Sequence, residues 1–180
     1  MTTQTTTTWA IDPSHSEITF KVKHLVVTTL TGKFEKFEGL AHVNADDFDG
    51  SSFEFSAEID SINTGNADRD GHLKSDDFFN SASFPKLMFK SASFTKHSDG
   101  NYKLTGDLTI RDVTKPIELN VDFGGVAIDP WGNTKAGFEI NGIIKRKDFG
   151  LKWDVITEAG GAVVSDEVRL HLNVQLVKQP

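Results

Sequence analysis

Apolar residues fall at every second position in run after run of this 180-residue chain, and that spacing constrains the fold more than any other feature of it. A period of two places side chains on one face of a β-strand, where a helix needs a spacing of about 3.6. Eight runs follow the rule, over residues 18–22, 37–43, 53–59, 87–89, 102–110, 117–123, 138–144 and 168–176. The positions between them, such as Lys103, Thr105, Asp107 and Thr109, are polar. Turn-forming clusters separate the runs, among them ADDFDGSS, KHSDGN and IDPWGN, so neighbouring strands are expected to be antiparallel.

Eight antiparallel strands with one apolar face form either a two-sheet sandwich or a closed barrel, and only closure removes the exposed edges. The expected fold is therefore an all-β, eight-stranded antiparallel barrel, roughly 25 to 30 Å tall, with room for one small ligand. Inward parity nominates Ile18, Phe20, Val22, Phe55, Leu104, Phe138, Ile140, Leu170 and Leu172 as the wall of a binding site. Gly106 and Gly142 share that face. With Gly39, Ala41 and Ala57 they either preserve volume for a guest or let the sheet bend, and the sequence leaves both readings open.

His24 and Arg146 continue two inward rows, after Val22 and Ile144. A polar group at the end of an apolar wall suits the head of a ligand. A hydrogen bond from His24 to a loop backbone, or an ion pair of Arg146 with Asp148 or a nearby acid, accounts for the same placement.

The stretch NTGNADRDGHLKSDDFF, residues 63–79, breaks the alternation. Asn66 can cap a helix, Asp68 and Asp70 fall in its first turn, and His72 and Lys74 in its last, the order that the helix dipole favours. A short helix is predicted over 66–75, weakened by Gly71, with Leu73, Phe78 and Phe79 turned onto one mouth of the barrel. Arg69 and Asp70 read as a structural ion pair or loop clamp rather than as catalytic groups.

A net charge of −7 argues against nucleic-acid binding, and the absence of cysteine removes disulfides and thiolate chemistry. The histidines His15, His24, His42, His72, His97 and His171 show no metal-ligand spacing, there is no GxSxG elbow, and the DFG of KDFGL lacks its partner motifs. No catalytic residue, metal or cofactor is expected. Residues 1–8 read as a disordered tail before one domain over 9–180. The start lacks the basic and apolar regions of a secretory signal, which points to the cytoplasm, or to the periplasm if a leader has been removed. No apolar run approaches the ~20 residues of a membrane span, so stable membrane insertion is not expected. An isologous dimer through the outer wall is compatible with the sequence.

Six segments in order, WAIDPSHSEITFKVKHL (9–25), GKFEKFEG (32–39), IDSINTGNADRDGHLKSDDFFN (59–80), FPKLMFKS (84–91), GDLTIRDVTKPIEL (106–119) and RKDFGL (146–151), resemble the YceI-like family across almost the whole chain. The resemblance implies a lipocalin-like eight-stranded barrel that carries polyisoprenoid lipids or other long amphiphiles in an elongated pocket. His24, Arg69, Asp70 and Arg146 fall on positions matching the family's motifs. Asp112 departs from the pattern, which often has Gly there. The expected function is non-catalytic binding, transport or storage of an amphiphile such as a polyprenyl phosphate, a quinone or a quinone precursor. The alternatives are an enzyme acting on such a lipid through His24 and Arg146, and a stress-linked interaction module whose cavity is incidental.

Overall fold

In the computed structural model, which describes residues 5–44, 47–155 and 163–180, one antiparallel sheet closes on itself. Its strands are β1 (Thr7–Ile11), β2 (Glu17–His24), β3 (Thr28–Phe34), β4 (Phe37–Val43), β5 (Ser52–Glu58), β6 (Ile62–Asn63), β7 (Lys86–Ser98), β8 (Asn101–Ile110), β9 (Val113–Ile128), β10 (Thr134–Lys145) and β11 (Val164–Lys178). β2 pairs with β3 and β1 with β4, while β3 pairs with β6 and β4 with β5. The first six are thus halves of three broken strands, and the wall has eight strands in all. β11 closes it by pairing with β2 over one part of its length and with β1 over the other.

All eight expected runs lie in this wall, and β1, β3 and the two-residue β6 are additions to them. β3 carries only Leu30 and Phe34 on its inner face, because Gly32 interrupts the row. Thr7 and Thr8 pair with Val43 and His42, so the tail expected over 1–8 gives way to strand before Trp9. Residues 1–4 lie outside the described residues.

Burial follows the period of two closely in β8, where Tyr102, Leu104, Gly106, Leu108 and Ile110 are covered and their neighbours are less so. It fails where the ladder slips. In β7 the register shifts between Ser91 and Ser93, and the extra residue brings Phe94 inward although Phe89 sets the opposite parity.

The helix α1 spans Ala67–Lys74, capped by the Asn66 side chain, which accepts a hydrogen bond from the Arg69 N–H at 3.0 Å. Phe78 is buried behind it and Leu73 and Phe79 are half-buried against the core, as the sequence indicated. Arg111, in the turn between β8 and β9, holds the segment in place: its guanidinium donates to the carbonyls of Phe78 (3.1 Å) and Asp76 (3.3 Å).

The opposite end is closed by aromatic rings. Phe48, in the loop between β4 and β5, is buried among Trp9, Phe123 and Phe138 with ring centroids 5.2, 5.4 and 5.2 Å away. Phe94 stacks on Tyr102 at 4.5 Å, and the Tyr102 hydroxyl donates to Asp47 at 3.0 Å.

Candidate ligand-binding site

The barrel interior is not filled. A cavity of about 440 Å³ runs from the α1 end toward the aromatic closure, past Phe94 and Phe138 to Ile11 and Leu176, within the range of roughly 300–1,000 Å³ typical of small-ligand sites. Ile18, Phe20, Val22, His24, Phe55, Leu104, Phe138, Ile140, Arg146, Leu170 and Leu172 all line it. Many of these inward apolar residues are only partly covered: Phe20, Phe55, Ile140, Leu170 and Leu172 pack against the core yet keep exposed surface, because their free sides face the cavity.

Gly106 and Gly142 do not line it, which corrects their reading as space held for a guest. A Cβ on Gly106 would meet the Phe89 ring and the Lys90 carbonyl oxygen, each 2.5 Å away, and a Cβ on Gly142 would overlap Leu119 Cδ2. Each glycine is a recess in the wall that a neighbouring strand's side chain already occupies. Gly32 does the same for the Phe20 ring. The large side chains therefore lie against the wall, and the cavity benefits only indirectly.

Arg146 is also corrected. It is 3% exposed, and its guanidinium donates to four carbonyls: Nε to Ser165 (2.8 Å), Nη1 to Leu151 and Trp153 (2.7 Å each), and Nη2 to Val164 (3.1 Å). Asp154 completes the shell at 3.7 Å, the nearby acid that the sequence allowed as an alternative to Asp148. Burial lowers the guanidinium pKa, against the opposing pull of Asp154 and Asp166. With its donors committed to the backbone, Arg146 pins the chain after β10 to the start of β11. It lines the cavity with four of its five N–H groups taken by backbone carbonyls and Nη2 beside the Asp154 carboxylate, which leaves it poorly placed to serve a ligand head.

The polar edge of the cavity lies instead beside α1, where Thr64, Arg69, His72 and His24 line it while remaining partly exposed. Arg69 Nε donates to Thr64 Oγ1 (2.8 Å) and Nη2 to the Thr64 carbonyl (2.6 Å). Asp70 does not pair with Arg69; its carboxylate accepts from the Thr64 N–H at 2.9 Å and from the Thr64 hydroxyl. Both residues clamp the loop through Thr64. This arrangement leaves Arg69 Nη1 without a hydrogen bond among the described residues. His72 Nε2 is 2.8 Å from Asp77 Oδ2, and the imidazole stands edge-on to Trp153 at 4.8 Å. The sequence placed His24 at the end of the inner wall, and set Arg69 and His72 at the mouth without placing their side chains in the cavity wall. Trp153 and the Phe48 closure carried no period that could reveal them.

Among the described residues no group of three His, Cys, Asp or Glu side chains is arranged to hold a metal ion. No helix among the described residues is long and apolar enough to cross a membrane.

A closed antiparallel barrel around one apolar cavity, shut by aromatics at one end and edged with hydrogen-bond donors at the other, is the build of a single-cavity β-barrel of the lipocalin kind. The chain belongs to the YceI-like domain family, whose model matches residues 9–176. It is 38% identical over 165 residues to Protein YceI of Escherichia coli, covering 92% of this chain and 83% of that protein. The structure of the Campylobacter jejuni YCEI protein is similar with a TM-score of 0.73 and 33% identity, over 88% of this chain and 90% of the other. A polyisoprenoid binding domain from Saccharophagus degradans, implicated in plant cell wall breakdown, shares the fold with a TM-score of 0.70 at 15% identity, over 95% and 98% of the two chains.

Proposed function

We propose that the protein binds a long-chain amphiphile inside the barrel, an isoprenoid lipid such as a polyprenyl phosphate, a quinone or a quinone precursor, and holds it unaltered for transport or storage. The observation that carries this reading is the set of inward apolar side chains left partly uncovered around the cavity. Water there makes few hydrogen bonds, and replacing it with a lipid tail gains about 25 cal/mol per Å² of apolar surface before ordering costs. Family membership and the polyisoprenoid-binding relative support the choice of ligand.

The head lies at the α1 end in this reading, near Arg69 Nη1 and His24. A phosphate takes a charge-assisted hydrogen bond from the guanidinium, and a quinone carbonyl takes a weaker one. Arg146 has four N–H groups committed to backbone carbonyls, which counts against the lipid-modifying enzyme that would use it as an oxyanion donor.

The test is mass spectrometry of an organic extract of gently purified protein, followed by reloading of stripped protein with lipids of one tail and two heads. A co-purifying isoprenoid or other long amphiphile is expected. Arg69→Leu should weaken a phosphorylated lipid more than a neutral one. A protein that is empty as purified, and that takes up neither lipid after stripping, would overturn the reading.

A further inference from the structure

The hairpin between β2 and β3 ends in three exposed apolar residues, Leu25, Val26 and Val27, which are 43%, 75% and 78% exposed. Its backbone is unusual. Leu25 and Val26 have φ of 53° and 64°, a left-handed conformation at two successive residues that glycine and asparagine adopt readily and a β-branched valine resists. Turn stability alone would favour Asn-Gly here. Residues that strain the turn and expose apolar surface point to a use for that surface.

The tip is continuous with the cavity. His24, the residue before it, lines the cavity, and the Leu25 N–H donates to the carbonyl of Val163, another lining residue, at 2.9 Å. The Val163 N–H in turn donates to Val155 at 3.0 Å, and Val155 is itself 48% exposed. An apolar rim thus leads from the outer surface to the mouth.

The wall below the tip is basic in a chain of net charge −7. From Ile18 to Phe34 the hairpin carries Lys21, Lys23 and Lys33 and no carboxylate. Lys33 has Glu35 at 3.7 Å, whereas Lys21 and Lys23 have no ion-pair partner among the described residues. Lys21 lies directly opposite Arg169 of β11, and like charges so placed repel. The neighbouring Glu167 stands opposite Lys145. Lys23 and Lys21 are two and four residues below Leu25, about 7 and 13 Å along the strand. An apolar tip entering the interface by roughly 5–10 Å brings such lysines to the phosphate layer.

We infer that the β2–β3 hairpin is a docking tip for anionic lipid bilayers, set beside the cavity mouth so that a lipid passes between membrane and barrel without crossing open water. The inference rests on the lipid-binding reading for its purpose, but docking itself requires only the tip and the lysines. The other exposed apolar turn, with Ile128 and Trp131, lies at the aromatic-closed end and offers no route to the cavity.

Docking is tested by sedimenting the protein with vesicles of phosphatidylcholine alone and of equal parts phosphatidylcholine and phosphatidylglycerol. Lipid capture is measured separately, with geranylgeranyl phosphate supplied in nonionic detergent micelles. The paired substitution Leu25→Asn with Val26→Gly should raise the thermal midpoint by relieving the turn, lower vesicle partitioning roughly tenfold, and leave capture from micelles unchanged. Lys21→Gln and Lys23→Gln should each cost about fivefold on the anionic vesicles alone, an effect that salt removes. Trp131→Ser should change neither measurement. Wild-type protein that fails to sediment with anionic vesicles, or a hairpin variant that sediments as well as wild type, would overturn the docking tip. Failure to capture from micelles would instead overturn the lipid-binding reading, because the vesicle measurement does not depend on it.

Discussion

The ring of Phe89 on β7 lies where a Cβ on Gly106 of β8 would stand, with its Cζ 2.5 Å from that point and the Lys90 carbonyl oxygen equally close. The two residues are diagonal neighbours, since Phe89 is opposite Leu108 and Gly106 is opposite Ser91. Gly106→Ala should therefore destabilise the barrel by about 1–3 kcal/mol, because one of the two obstacles is backbone and cannot turn aside. Gly142→Ala should cost less, since it meets the end of a flexible Leu119 side chain before the Glu118 carbonyl at 3.6 Å. Denaturant midpoints of the two variants check the order, and a reversed order would show that the wall yields differently from this geometry.

Arg146 supplies four carbonyl oxygens with hydrogen bonds from within the fold. Arg146→Leu should cost about 3–5 kcal/mol, the range for stripping a buried charged group from its partners. Arg146→Lys should recover little, because an ammonium cannot reproduce the planar fork. Any loss of lipid affinity should be equal for phosphorylated and neutral heads. A selective loss of the phosphorylated lipid would return Arg146 to the head site.

Tyr102 gives an alkaline signature. Burial, followed by the hydrogen bond to Asp47, pushes its hydroxyl up to about 12 from an ordinary value of 10.0. A folded-state pKa above the unfolded one contributes stability that is complete below the unfolded pKa and lost as pH rises through the folded one. Stability should fall between about pH 10 and 12. Tyr102→Phe keeps the stacking ring but lacks the ionising hydroxyl, so its stability should fall less over that interval. Parallel pH profiles of wild type and variant would exclude this origin.

At the acid end Asp12 plays the corresponding part. Hydrogen bonds from Ser14 and from His15 hold its carboxyl well below the usual carboxylate range. A depressed folded pKa contributes stability that is present above the unfolded value, near 4, and lost as pH falls below it. Asp12→Asn should flatten that loss. Urea midpoints at successive pH values below neutrality check it.

Phe94 and Phe138 line the cavity toward its aromatic-closed end, where Phe138 meets both Phe94 and Phe48. Phe138→Ala should cost about 3–5 kcal/mol and deepen the site, shifting the lipids recovered by mass spectrometry toward longer tails. An unchanged length distribution in a folded variant would place the limit elsewhere.

Strand parity was legible in the sequence because a half-buried strand repeats every two residues, and it located the wall residues from Ile18 to Leu172. It failed at Phe94, where one bulged residue resets the parity, and at Phe48, which reaches the core from a loop. The capping order around Asn66 located α1, since those groups act on their immediate neighbours. Arg146 was placed correctly and misread in role: parity reports the direction of a side chain, but its partners, the carbonyls of Leu151 and Trp153, belong to a segment with no period. The glycines went astray for a related reason. A residue without a side chain does not reveal who fills its space, and Phe89 and Leu119 stand on other strands.

Among the described residues, the aromatic closure around Phe48 makes the barrel a blind bore, with entry and exit through the mouth beside α1. A second lipid cannot push the first out from behind, and two tails cannot pass each other in so narrow a space. Exchange then waits on spontaneous departure, and its rate is independent of how much competing lipid is offered. The occupant's residence time becomes a property of the vessel itself, insulated from the concentration of everything outside.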